Sequence, residues 1–452
     1  MATPAFSRRK IAIIGAGLAG LSAAHKLLRQ GHHVIVFEAA PQAGGRARGV
    51  THGNTTLDNG QHLCIGAYSA TLNLLQAARL KPEEVFMRLP LSLHMHAWTH
   101  NSQQRMSLVT PAWLPAPLHL LWGLLAARGL DWRSKWQAIR WMLDLKRIGF
   151  RLEKDITVAA LLVRGQQTAI AISTLWEPLC LGALNTPIAE ASAQVFLNVL
   201  QDSFQHRRQD SDFLIVKGDL STALIQPLLQ AIQDLGAEVH LRQAVTSIQP
   251  LDTGCLVSTA TSTVAFDDVV VAVGPHQLKT IESELVIPRF DYQPITTIYL
   301  QFESGFRLPH VVMGLCHGLA QWVFDRGQCC DQPGLLAVVI SAHPPLNMGK
   351  ESLLRQCIEE INRALDMYGK QLSTTPLWTQ IITEKRATFS CTPDLSRPPI
   401  KTGIPHLFLA GDYVAGRYPA TIEGTVRSGH AAAQAIMNGD YSLAESLHKT
   451  AR

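Results

Sequence analysis

Charge is sparse in this chain. Only 17% of its 452 residues are Asp, Glu, Lys or Arg while 47% are hydrophobic, which excludes a disordered polyelectrolyte and leaves enough apolar material for a large core, divided at this length into about two domains. Eight cysteines (Cys64, Cys180, Cys255, Cys316, Cys329, Cys330, Cys357 and Cys391) form no CxxC pair and show no spacing suited to zinc. No metal site is expected, and a reduced, cytoplasmic setting fits them better than a disulfide framework. Internal repeats and low-complexity tracts are missing, as is the GxSxG turn of serine hydrolases. A spanning helix is missing too: Met106 to Ala127 carries no formal charge, but Pro111, Pro115 and Pro117 interrupt it.

What is present begins at the N-terminal end. The apolar run Ile11-Ala12-Ile13-Ile14 leads into Gly15-Ala16-Gly17-Leu18-Ala19-Gly20. Gly15 permits the bend, Gly17 lets a pyrophosphate approach the main chain, and Gly20 lets helix and strand pack closely. A helix with Leu21, Ala24, Leu27 and Leu28 on one face follows and stops at Gly31, its N-terminus aimed at the phosphates. Glu38 stands 18 residues after Gly20 at the end of the next strand, where a carboxylate accepts hydrogen bonds from ribose hydroxyls and repels the extra phosphate of NADP. Ser7-Arg8-Arg9-Lys10 before the apolar run imitates an export signal, but cleavage there would remove the phosphate-binding glycines. We therefore read this run as the first strand.

The pattern along the chain predicts an α/β fold in which a Rossmann-like FAD-binding domain is interrupted by a mixed α+β substrate domain. The FAD-binding parts are residues 1–85, 213–285 and 395–440. The first insertion, 86–212, reads as mostly helical and as facing substrate and membrane; the second, 286–394, completes the substrate domain, and 441–452 is a tail. Between 128 and 151, seven basic residues oppose two acidic ones, and five of the nine tryptophans fall between 113 and 141. On a helix, Trp132, Trp136, Ile139 and Leu143 share one face while Arg133, Arg140 and Arg147 share another. Such a segment, 106–151, suits the headgroup plane of an anionic membrane on its cytoplasmic side. Its other reading is a surface helix whose tryptophans join the core. A nucleic acid is not the expected partner, because these basic residues are mixed with apolar faces and lie in no recognised binding motif.

A flavin needs its pyrophosphate neutralised, its ribityl hydroxyls bonded and negative charge at its N1/O2 edge stabilised. Arg46, after Gly44-Gly45, can reach the phosphates. Asp412, after the apolar strand Leu407–Ala410 and Gly411, can accept a ribityl hydroxyl. The segment Ala420–Gly429 leads into a helix of small residues, Ala431–Ala433, whose N-terminal dipole favours negative charge at N1/O2. Glu423 in that segment is expected to be buried and to need a partner, for which Arg46 and Arg48 are the candidates.

GAGLAG with Glu38, the GGRARG loop and GDYVAGRYPATIEGTVRSG together resemble the flavin-containing amine oxidase and phytoene desaturase superfamily, and they cover both ends of the chain. Asp58-Asn59-Gly60-Gln61-His62, Gly66-Ala67-Tyr68 and Pro419-Ala420-Thr421-Ile422-Glu423-Gly424 are most similar to bacterial hydroxysqualene dehydroxylases, the squalene-associated FAD-dependent desaturases of hopanoid biosynthesis. The resemblance implies an amine oxidase and phytoene desaturase-like architecture, FAD as cofactor, and hydroxysqualene as the hydrophobic substrate, reduced to squalene. It also implies that the cofactor surface takes in Leu18, Ala19, Ala39, Gly45, Gly60, Gln61, His62, Thr421 and Ile422, with Val245 meeting the adenine through its backbone. The electron donor that regenerates reduced flavin leaves no signature. For the proton, His62 and Tyr418 are the catalytic candidates, a flavin-bonding role for His62 being the alternative. A desaturase running the reaction in the oxidative direction, an amine oxidase and a non-catalytic flavoprotein remain as competing readings. The amine oxidase is weakened because no lysine occurs between Lys279 and Lys350, where that superfamily commonly supplies one to the flavin.

Overall fold

The computed structural model describes residues 8–99, 102–204, 206–344, 346 and 348–441. Beyond Tyr441, the expected tail lies outside the described residues.

Five parallel strands form the first sheet, in the spatial order Glu238–His240, His33–Phe37, Lys10–Ile14, Asp268–Val271, Leu407–Leu409. They come from three distant stretches of sequence and are apolar almost throughout, because both faces of the sheet are covered. Ile11, Ile13, Val34, Val36, Val270 and Phe408 pack against the helices Leu18–Leu28 and Ile422–Met437. The alternate residues Ala12, Ile14, Ile35, Phe37, Val269 and Val271 meet Ile248, Val257 and Phe266 of a three-stranded antiparallel sheet, Val245–Leu251, Gly254–Thr259 and Thr263–Phe266. The two helices approach so closely that a Cβ on Gly429 would lie 2.2 Å from the Ala19 carbonyl oxygen.

A seven-stranded sheet forms the second body, in the order Trp378–Phe389, Tyr292–Gln301, Leu335–Ser341, Trp322–Asp325, Val312–Cys316, Ser92–Thr99, Ser102–Val109. All its pairings are antiparallel except that of Val312–Cys316 with Ser92–Thr99. One face is covered by the amphipathic helix Lys350–Asp366 through Leu353, Cys357, Ile358 and Ile361. The other faces the first body. This corrects the expectation of a mostly helical 86–212, whose first part supplies Phe86–Leu89 and two strands of this sheet before the helices begin at Leu118. Alternating Leu93, Met95 and Ala97, all buried, have the strand period that a count of leucine and alanine conceals.

Among the described residues, no helix is long and apolar enough to cross a membrane.

Candidate FAD and substrate site

A cavity of about 690 Å³ opens at the carboxyl ends of the parallel strands and extends between the two bodies, the position where open α/β sheets bind ligands. Gly15, Gly17, Leu18 and Ala19 line it from the opening turn, Glu38 and Ala39 from the end of the second strand, and Val245 beside them. Gly45 and Arg46, then Gly60, Gln61 and His62, then Gly411 and Asp412, and lastly Tyr418, Thr421 and Ile422 complete that side. Two expected residues are elsewhere. Gly20 does not line the cavity; a Cβ there would sit 2.0 Å from the Gly15 carbonyl oxygen, so it serves the packing of turn on helix.

Glu423 is the second, and its partner is neither Arg46 nor Arg48. Its Oε1 accepts from the Ala70 backbone N–H and from Arg427 Nε, and its Oε2 from the N–H and hydroxyl of Thr71. The carboxylate thus satisfies the first turn of the helix Ser69–Ala77, where backbone donors lack intrahelical partners. The i, i+4 spacing of Glu423 and Arg427 was visible in the sequence; the helix it caps, about 350 residues away, was not.

Gly17 is the most direct test of cofactor fit. Its backbone, at φ −76° and ψ 177°, is open to any residue, and a Cβ there would meet no protein atom within 4 Å. Nothing in the protein itself demands glycine at this point, whereas a pyrophosphate pressed on the main chain does. The helix that begins beside it has no side-chain cap and no acid in its first turn, leaving its N–H groups to an anion. Buried polar atoms without partners concentrate in the same cavity: His62 Nδ1, Asn185 Oδ1, Tyr292 Oη and Tyr413 Oη. Such atoms are rare in finished cores and fit a polar ligand. Glu38 is already half engaged, Oε2 accepting from the Ala16 N–H and Oε1 from the Ala40 N–H, each at 2.8 Å. Those bonds fix the carboxylate at the strand end, with lone pairs remaining for ribose hydroxyls.

Arg46 and Asp412, expected to act separately, are joined: Nη2 lies 2.7 Å from Oδ2, and Nη1 donates to the Ala387 carbonyl. The carboxylate raises the guanidinium's pKa, keeping a fixed positive charge on the cavity wall. The helix Ile422–Met437 starts within the expected segment, capped by Thr421 accepting from the Gly424 N–H, and Ile422 and Thr425 of its first turn line the cavity. Tyr418 donates to Asp202 Oδ2 at 2.6 Å, with the Arg427 guanidinium 5.0 Å from its ring centre. Burial pushes the phenol pKa up, and burial pushes His62 down from its ordinary value. His62 is therefore a neutral imidazole near pH 7.

Two arginines escaped sequence reading. Arg397 donates to the carbonyls of Asp412, Tyr413, Gly416 and Tyr418 and so holds the whole 412–418 loop in shape. Arg326, fully buried, donates to Gln61 Oε1, Gln332 Oε1 and the Gly218 carbonyl and lies 3.4 Å from Asp58 Oδ2, fixing the segment that carries His62. Neither sits in a motif, and Asp325-Arg326-Gly327-Gln328 reads in sequence as an ordinary polar turn.

The far part of the cavity is apolar, walled by Leu91, Leu93, Leu179, Phe196, Trp322 and Phe324. No lysine lines the cavity among the described residues.

The profile of the flavin containing amine oxidoreductases matches residues 18–437. A hydroxysqualene dehydroxylase of Sinorhizobium fredii is 29% identical, the alignment covering 95% of this chain and 99% of that protein. A zeta-carotene desaturase of Synechocystis sp. is 24% identical over 95% of this chain and 97% of that protein. The structure of a putrescine oxidase bound to putrescine superposes with a TM-score of 0.69 at 17% identity, covering 95% of this chain and 99% of that one, and shows the shared fold. Because the match runs from the phosphate-binding turn to the last helix, the chain belongs to the flavin-containing amine oxidoreductase family and is an FAD-dependent oxidoreductase.

Proposed function

We propose that the protein removes the allylic hydroxyl of hydroxysqualene, giving squalene and water, in squalene and hopanoid biosynthesis. The observation that carries this reading is the end-to-end match to a protein named hydroxysqualene dehydroxylase. An apolar arm beside the cofactor surface, without a lysine, supports a hydrocarbon substrate over an amine.

Loss of water from an allylic alcohol takes one proton and leaves a delocalised cation on the substrate carbon. Reduced FAD, when bound, supplies the hydride that quenches this cation, and an external reductant restores it. The protein's own work is to deliver the proton and to keep other water away. Leu93, Leu179, Phe196 and Phe324 exclude water from the arm. Tyr418 is the proton carrier: its phenol stays protonated, Asp202, only 16% exposed, holds it in place by accepting its hydrogen bond, and the proton given to the leaving hydroxyl is replaced from solvent. His62, neutral and with its Nδ1 unpartnered, is a poor cationic acid and would hydrogen-bond the cofactor instead. Asn59-Gly60-Gln61 and Arg46–Asp412 would hold the cofactor against these groups.

Anaerobic mixing tests the direction. Chemically reduced enzyme with hydroxysqualene should regain its oxidised flavin spectrum while squalene accumulates. Bleaching of oxidised enzyme by squalene, with no reaction of the reduced form, would instead make it a desaturase, the reading that the zeta-carotene desaturase relative favours.

A further inference from the structure

Exposed apolar side chains are unevenly distributed. Of the seventeen large hydrophobic residues exposed among the described residues, ten lie between Val109 and Ile148. On the helix Leu118–Ala126, Leu118, Leu121, Trp122 and Leu125 share one exposed face, while His119, Gly123 and Leu124 are buried beneath it. On the next helix, Trp132–Arg147, Trp132, Trp136 and Leu143 are exposed at 68%, 59% and 52%, while Ala138, Trp141 and Leu145 join the core. Trp132 and Trp136 therefore do not pack inward as in an ordinary surface helix, and Trp141 alone of its tryptophans does. Lys135 Nζ ties the two helices by donating to the Leu125 carbonyl at 2.8 Å; Arg128, Arg133 and Lys146 are exposed on the same segment, as are Arg140 and Arg147, which share Asp144 as ion-pair partner, so that the basic residues stay in excess.

Both helices are attached to the walls of the cavity. His119 Nε2 is 3.0 Å from Ser211 Oγ, and Ser211 lines the cavity. Trp141 meets Trp176 edge-on at 4.8 Å, and Trp176 leads directly into the helix Glu177–Leu184, which supplies Leu179 and Gly182 to the apolar arm.

We propose that this face docks on an anionic lipid bilayer, the helices lying in the headgroup plane, and that docking delivers the apolar arm to the hydrocarbon in which the substrate dissolves. This partner rests on the reaction proposed above only for its purpose. The charge pattern selects it: a second copy would set the same basic residues against one another, whereas anionic headgroups neutralise them while tryptophans occupy the interface. A patch of this size left to water is uncommon in a monomer.

The FAD-loaded protein is sedimented with phosphatidylcholine vesicles, with and without phosphatidylglycerol. Binding should be strongest with phosphatidylglycerol and weaken in high salt. Leu121→Ser/Trp122→Ser/Leu125→Ser should lower it about tenfold or more, with turnover of detergent-solubilised hydroxysqualene retained and turnover of vesicle-borne substrate reduced. Arg133→Glu/Lys146→Glu should abolish the preference for phosphatidylglycerol, and Val286→Ser, on an exposed residue elsewhere, should change nothing. Trp113→Ser, 75% exposed and outside both helices, provides a second apolar variant should the triple variant misfold, and lowered binding is expected there too. Wild-type protein that ignores phosphatidylglycerol vesicles, a triple variant that binds them normally, or a dimer in light scattering that the triple variant dissolves would each overturn the proposal. Failure of the reaction itself is separately visible, as vesicle binding without turnover of detergent-solubilised substrate.

Discussion

Replacing Arg326 by methionine should cost about 4 kcal/mol of stability and loosen the flavin. Arg326 is fully buried and Asp58 is 2% exposed, so the substitution leaves a carboxylate without its counter-charge, a change worth roughly 3–5 kcal/mol. It also strips a donor from Gln61, Gln332 and Gly218, each acceptor adding about 1 kcal/mol before relaxation. Asp58 offsets part of this by taking up a proton, since burial already raises its pKa in the intact protein. An acid whose folded pKa is raised destabilises the fold above that pKa and ceases to do so as pH falls toward the unfolded value. The deficit of Arg326→Met relative to wild type is therefore largest at neutral pH and shrinks as pH falls toward about 4. Adding Asp58→Asn removes the stranded charge while keeping Oδ1, which accepts from the Leu220 N–H, and should restore about 2 kcal/mol. Urea denaturation of the four proteins of this cycle, with FAD release followed in parallel, measures both effects. A single variant within 1 kcal/mol of wild type (about one hydrogen bond), or a double variant no better than Arg326→Met, would refute the reasoning.

Gly17 and Gly20 should respond oppositely to alanine: Gly17→Ala keeps the thermal midpoint of the FAD-free protein but weakens FAD binding on the order of a hundredfold, seen by fluorescence titration, whereas Gly20→Ala costs about 2 kcal/mol by overpacking. Tyr418→Phe should lower kcat about a hundredfold with KM little changed, while His62→Gln should change mainly flavin affinity; single-turnover kinetics separate the two. His96, buried between the Gly314 carbonyl and the Tyr368 hydroxyl, has its pKa lowered from 6.5 to about 4, chiefly by burial. The unfolded chain protonates first, so stability is fully present above about 6.5 and is lost as pH falls to about 4, by up to ~3 kcal/mol. His96→Gln should flatten that limb of a stability profile against pH.

The parallel strands, the glycine-rich turn and most of the residues that line the cavity beside it were legible in the sequence because they depend on local rules. A strand ending in glycines and followed by a helix needs no distant partner to be recognised, and Leu407–Leu409 running into Gly411 and Asp412 shows the same pattern at the other end. Mixed segments were misread where local signals compete, as in 86–109, where strands carry the same leucine and alanine content as the helices that follow.

By itself the sequence determined that one nucleotide-binding sheet would be assembled from separated segments; whether the basic, tryptophan-rich stretch packs inward or stays exposed it left open. Only the tertiary structure decided which charges meet: Arg46 with Asp412, Glu423 with the helix at Ser69, Arg326 with Asp58 and Gln61. The reason is physical. Strand and turn propensities act over a few residues, whereas the pairing of a buried charge is settled by desolvation, and the partner is whichever group the fold brings within hydrogen-bond reach.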